Sequence, residues 1–148
     1  MKILIVDDDE VVLLAVKHRL AMDKHSIITS PDGLEAYKII AREHVDLIIS
    51  DIAMPYLSGF ELLNYLKNEL KKNIPIILIS ALDQKEIILA AYKSGADDFI
   101  TKPIDLEELA AKVSAHLSLL IGKREVASNP NPIIQSVPKF TFPPERTN

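Results

Sequence analysis

An alternation of two kinds of segment constrains this chain more than anything else in it. Short apolar runs recur at Lys2–Val6, Ser26–Thr29, Leu47–Ser50, Pro75–Ser80 and Asp98–Thr101. They are short and rich in β-branched residues and Leu, which suits strands buried on both faces of a parallel sheet. Between them lie helical patterns, from Glu10 to about Met22, Gly33 to Glu43, Gly59 to Leu70, Gln84 to Ser94 and Asp105 to Leu120. Their candidate core stripes are Val11, Leu14, Ala15 and Leu20 in the first, Leu34, Ala36, Ile39 and Ile40 in the second, and Phe60, Leu62, Leu63 and Leu66 in the third. Asp9 and Asp105 are the expected N-caps, Glu108 completing a capping pattern with the latter, and Gly95 is a helix stop. Strand–helix units in unbroken succession imply an α/β architecture: a parallel sheet, right-handed crossovers and helices on both faces.

Composition narrows the function. The 148 residues carry a net charge of −4, which argues against a basic nucleic-acid binder. There is no cysteine, so a disulfide framework, a thiolate zinc site and a thiol nucleophile are excluded. Lys2 is followed by only Ile3-Leu4-Ile5-Val6 before three aspartates, too short an apolar core for a secretory leader or a membrane span. The expectation is a cytoplasmic protein with no membrane insertion. Residues 122–148 differ from the rest. Pro130, Pro132, Pro138, Pro143 and Pro144 fall there and break regular structure. The expected division is therefore a folded domain over 1–121 and a Pro-rich extended or disordered tail over 122–148. That tail is too short for an output domain with its own core, so the domain is expected to stand alone.

In an open α/β sheet, function gathers beyond the C-terminal ends of the strands. The first run ends in Asp7-Asp8-Asp9, the third in Asp51, the fourth in Ser80, and the fifth in Thr101-Lys102 before Pro103. Converging carboxylates repel and call for a cation. None of His18, His25, His44 or His116 falls on this edge, so the ligands are hard oxygens. Such a set favours Mg²⁺, with Mn²⁺ or Ca²⁺ as alternatives, over zinc. A lysine and a hydroxyl beside the ion would complete a cradle for a phosphoryl group. Asp51, alone at its strand end, can be a nucleophile forming an acyl phosphate. Asp97 and Asp98 are read as merely preceding the fifth strand, and no histidine is assigned a role.

These motifs together resemble the receiver domain of two-component response regulators. They are Ile3–Asp9; Asp46–Asp51 with Met54-Pro55 and Gly59; Ile79-Ser80-Ala81; and Gly95–Pro103. The resemblance covers residues 1–121 and implies a doubly wound, flavodoxin-like (βα)5 fold with strand order 2-1-3-4-5. It implies that Asp51 is the phosphoacceptor and that Mg²⁺ is held by Asp8, Asp51 and the backbone carbonyl of Ala53, Asp7 acting through water. Lys102 would pair first with Asp51 and then with the phosphoryl group. Ser80 and Phe99 would be the hydroxyl and aromatic switch residues, the ring rotating inward, and the Lys102–Pro103 bond would be cis.

On this resemblance the chain is a signalling switch and not an enzyme in the turnover sense. Its partners would be a sensor histidine kinase or histidine phosphotransfer protein and a downstream protein target, or a further histidine in a phosphorelay, with no direct nucleic-acid contact. Ala53 and Leu82, two residues beyond Asp51 and Ser80, are apolar and cannot orient a hydrolytic water, which implies slow loss of the phosphoryl group. An alternative is a Mg²⁺-dependent aspartyl-nucleophile phosphatase of the haloacid dehalogenase type. It would need a second Asp where Ala53 stands. A flavodoxin-like FMN binder would need a phosphate loop where three carboxylates stand.

Overall fold

The structure, a computed structural model, describes residues 1–128; the tail from 129 to 148 lies outside the described residues. The chain divides into two units, Met1–Leu117 and Ser118–Asn148. The first unit holds a five-stranded sheet in the order β2-β1-β3-β4-β5. Its strands are β1 Lys2–Val6, β2 Ser26–Ser30, β3 Leu47–Asp51, β4 Ile76–Ser80 and β5 Asp98–Thr101. All pairings are parallel, running for instance Ile3 to Leu47, Asp51 to Ile79 and Ser80 to Thr101. The helices are α1 Glu10–Ala21, α2 Gly33–Arg42, α3 Gly59–Asn64, α4 Lys85–Lys93 and α5 Leu106–Ser128. The doubly wound fold and the strand order that the resemblance implies are those observed.

Alternate strand residues separate into two layers, as the period-two pleat requires. Leu4, Val6, Ile48, Ile76, Leu78 and Phe99 join Ala36, Ile39 and Ile40 of α2, Leu62, Leu63 and Leu66 around α3, and Ala91 of α4 in one buried cluster. Ile3, Ile5, Leu47, Ile49, Ile77 and Ile79 are buried outside it, as are Val16 and Leu20 of α1 and Leu109, Val113 and Leu117 of α5. At roughly 1.5–3 kcal/mol for each fully buried aliphatic side chain, these two layers dominate stability. Arg19 of α1 spans to α5, donating to both carboxylate oxygens of Glu107 at 2.8 and 3.0 Å.

Several local expectations are corrected. In α1 only Val16 and Leu20 are buried, while Val11 is 75% and Leu14 70% exposed. Residues 11–16 are apolar at every position, so periodicity cannot select a face there, and the face is set by where the helix packs. Leu34 opens outward from α2, whose buried face is Ala36, Ile39 and Ile40. β2 is only partly buried because it is an edge strand with one neighbour. The third helix turns π-helical over Tyr65–Glu69, where Leu70 N–H reaches back to Tyr65 O at 2.9 Å, and stacks Tyr65 on Tyr37. The fifth helix continues past the expected Leu120 to Ser128.

Two glycines are fixed by geometry. Gly95, at φ +105°, ends α4 in the left-handed conformation that other residues rarely adopt. Gly59 opens α3 directly beneath the end of β3, where an added Cβ would lie 2.5 Å from the Asp51 carbonyl oxygen and 2.9 Å from Ile52 Cα. Both obstacles are backbone and cannot swing away. Gly59→Ala is therefore expected to cost about 1–3 kcal/mol, read as a lowered thermal unfolding midpoint. An unchanged midpoint would show that β3 and α3 can separate freely.

Candidate functional site

The site is built where β1, β3, β4 and β5 end side by side. Asp7 follows β1, and its amide donates to Ser30 O at 3.1 Å, which holds it at the sheet edge. Its Oδ1 accepts from the Asp9 amide at 2.8 Å, and Asp9 in turn caps α1 by accepting from the Val11 amide at 2.9 Å. One Asp run thus supplies both a helix cap and the first site carboxylate. Asp7 is 1% and Asp51 5% exposed, while Asp8 faces solvent. Carboxylate oxygens of Asp7, Asp8 and Asp51 all come within 4.8 Å of one another.

Lys102 closes the arrangement. Its amide donates to Ser80 O at 2.8 Å, continuing the β4–β5 ladder past the strand end, and the Lys102–Pro103 bond that follows is cis. Its ammonium donates to Asp51 Oδ2 at 3.2 Å and stands 3.0 Å from Asp7 Oδ2. Asp7 Oδ2 has no aligned hydrogen bond of its own even so. Ser80 is 2% exposed, and its hydroxyl oxygen accepts from the Leu82 amide at 2.9 Å. Ala53 stands in the loop beyond Asp51 with an exposed side chain. Phe99 is only 7% exposed and belongs to the core, so its ring is already inside.

Charge follows from this geometry. Burial pushes the Asp51 carboxyl up from its ordinary value and the neighbouring Asp7 charge pushes it further, outweighing the opposing pull of Lys102. Burial alone would lower the Lys102 ammonium, but Asp7 and Asp51 raise it. One lysine is shared by two buried acids with a third beside them, so negative charge is left in excess.

The model of the response regulator receiver domain family matches residues 3–114. The chain belongs to that family. Among curated relatives, this receiver is 35% identical to the transcriptional regulatory protein RprY of Bacteroides fragilis, across 96% of the chain and 58% of RprY. The chain spans little more than half the length of that relative. It superposes on the Francisella response regulator 1452 receiver domain with a TM-score of 0.77 and 34% identity, covering 80% of this chain and 98% of that one. For the beryllofluoride-activated DrrB receiver domain the TM-score is 0.72 at 31% identity, covering 79% of this chain and 97% of the other. Among the described residues, no helix is long and apolar enough to cross a membrane.

The receiver's acidic edge fits a hard divalent cation. The donors are all oxygens, they converge, and the buried Asp7 Oδ2 lacks an aligned partner. Sequence reasoning missed a second cluster at the opposite end of β5. Asp98 accepts from Lys112 Nζ at 2.8 Å and the Tyr92 hydroxyl at 3.3 Å, and pairs with His116 Nε2 at 3.0 Å. The signal was present, since Lys112 and His116 lie four residues apart and share a helix face. Asp97 also has a partner, accepting from the Ile76 amide at 2.9 Å.

A raised folded-state pKa means that the Asp51 charge is less favourable in the folded protein than in the unfolded chain. The stabilising contribution is complete at acid pH, below the unfolded value, and is lost as pH rises through the folded value. At neutral pH the ionised carboxylate therefore costs stability, and Asp51→Asn removes that cost while Asp7 still balances Lys102. In metal-free buffer at pH 7, Asp51→Asn is expected to raise the melting temperature by a few degrees, about 1 kcal/mol. A lower midpoint would mean that the Lys102–Asp51 pair outweighs burial.

Proposed function

We propose that this receiver takes a phosphoryl group from a phosphohistidine onto Asp51 and signals by the resulting change in conformation. A single observation carries the reading: Lys102 bridges Asp7 and Asp51 at 3.0 and 3.2 Å inside an acidic cluster at the strand ends. An Asp51 Oδ attacks phosphorus; the P–N bond breaks, its electron pair stays on the imidazole nitrogen, and an acyl phosphate forms on Asp51. Asp8, Asp51 and the Ala53 carbonyl would hold Mg²⁺, with Asp7 acting through water, and the bound ion supplies charge neutralisation for phosphoryl oxygens. Lys102 changes partner from the bare carboxylate to the new phosphoryl oxygens. The Ser80 hydroxyl gives up the Leu82 amide and turns toward the phosphoryl group, drawing the β4–α4 loop with it. Phe99 is buried at the outset, so at that position the switch is a repacking.

The donor is a sensor histidine kinase or a histidine phosphotransfer protein, and the output is a downstream protein or a further histidine. RprY is named a transcriptional regulatory protein; the receiver unit here is assigned protein contacts and no direct DNA contact, in the cytoplasm. The chain is a switch without turnover, since Ala53 stands where an aspartyl phosphatase of the haloacid dehalogenase type carries its general acid.

The test is incubation with acetyl phosphate and Mg²⁺ followed by intact-mass analysis. One phosphoryl adduct is expected on the wild type and none on Asp51→Asn or after chelation. Because Ala53 and Leu82 offer no side-chain hydrogen bond to an attacking water, the adduct is expected to outlast a chase of minutes. An adduct that survives Asp51→Asn would overturn the assignment, and loss of label within seconds would overturn the slow lifetime.

A further inference from the structure

The third helix leaves the α-helical repeat at Tyr65–Glu69, where five residues form a π turn. No proline or glycine interrupts Asn64-Tyr65-Leu66-Lys67-Asn68-Glu69 to force it. Such turns are rare and recur at functional sites. Here the turn sets the Tyr65 ring on Tyr37 of α2, with centroids 3.7 Å apart and planes 29° from parallel. Tyr65 is buried, while Tyr37 keeps 37% of its surface open. With Leu57 and Phe60, the pair lines a groove of about 400 Å³, to which Glu61 and Glu69 supply the charge. Both glutamates are exposed, and among the described residues neither forms a salt bridge. The groove is preformed, because α2 and the loop before α3 meet backbone to backbone: a Cβ on Gly33 would lie 2.3 Å from Leu57 O. Walls already in place spare a ligand the entropy of ordering them.

We propose that this groove between α2 and α3 docks a proline-rich segment of a partner protein, one with an arginine or lysine beside its prolines. Aromatic side chains lining a rigid groove suit the pyrrolidine rings of a polyproline II helix, which is ordered before it binds and so loses little entropy. The two glutamates then choose the flanking residue, since a basic one is attracted and an acidic one repelled. That chemistry favours a separate chain over the proline-rich stretch of this one. In Pro143-Pro144-Glu145-Arg146 an acid stands between the prolines and the arginine, a poorer match to an acidic groove. The docking uses none of Asp7, Asp8, Asp51, Ser80 or Lys102, so it stands or falls independently of the phosphoacceptor reading.

The full chain, Tyr37→Ala and Glu69→Lys are titrated with the synthetic peptide Arg-Pro-Pro-Leu-Pro-Pro-Leu-Pro. The Tyr37 and Tyr65 ring signals are followed by NMR, with thermal melts as a check of folding. Saturable shifts of both rings are expected in the wild type. Tyr37→Ala is expected to weaken binding by about tenfold or more, as for an aromatic anchor at the centre of an interface. Glu69→Lys is expected to weaken it by about threefold at low salt, a loss that fades as added salt screens the exposed charge. If Tyr37→Ala does not fold, Glu69→Lys decides the question together with a peptide carrying glutamate in place of arginine. Rings that do not respond, binding unchanged in the variants, or a glutamate peptide that binds as well as the arginine one would overturn the proposal. Ring signals already altered in Arg146→Glu before peptide is added would make the chain's own segment the occupant, and so would overturn the choice of a separate partner.

Discussion

The ammonium of Lys102 shared between Asp7 and Asp51 is the contact on which the rest of the structure turns. Two carboxylates buried to this degree would repel each other strongly enough to protonate or to push their strands apart. One cation placed between them allows β1 and β3 to end at the same point, and it is put there by the last ladder bond of the sheet, from the Lys102 amide to Ser80 O. Sheet, loop and site are thereby one construction. The isoleucine-rich layers hold the strand ends in place, and the strand ends hold charges that water would otherwise separate.

That construction leaves the site unsatisfied by design. Asp51 is kept from ionising easily by burial and by Asp7, and Asp7 Oδ2 has no aligned hydrogen bond. A site that pairs every charge has no reason to change partners. Here the acids outnumber the one cation, Lys102, shared between Asp7 and Asp51 at 3.0 and 3.2 Å, and the excess negative charge suits a cation. Burial of these acids costs stability at this one edge of the sheet.

Much of this was legible in the residues. Short runs of Ile, Leu and Val can hardly be anything but buried parallel strands once helical segments separate them. Strand ends then place Asp7, Asp8, Asp51, Ser80 and Lys102 on one edge without further information. Less legible was anything decided by packing between elements. The continuous apolar stretch in α1 contains no phase, so the exposure of Val11 and Leu14 cannot be read from it. The inward setting of Phe99 depends on how α4 and β5 enclose it. The Asp98 cluster joins residues from three elements whose mutual approach is tertiary. The end of α5 escaped because Lys123, Arg124 and Glu125 are good helix formers in a stretch classed by the prolines that follow.

Asp8 is the only member of the acidic trio open to solvent. Its carboxylate is a doorstep: an ion can dock, shed water and depart without any strand parting from its neighbour. An ion at such a site would sit at the surface, in contrast to the locked-in ions that staple small domains together.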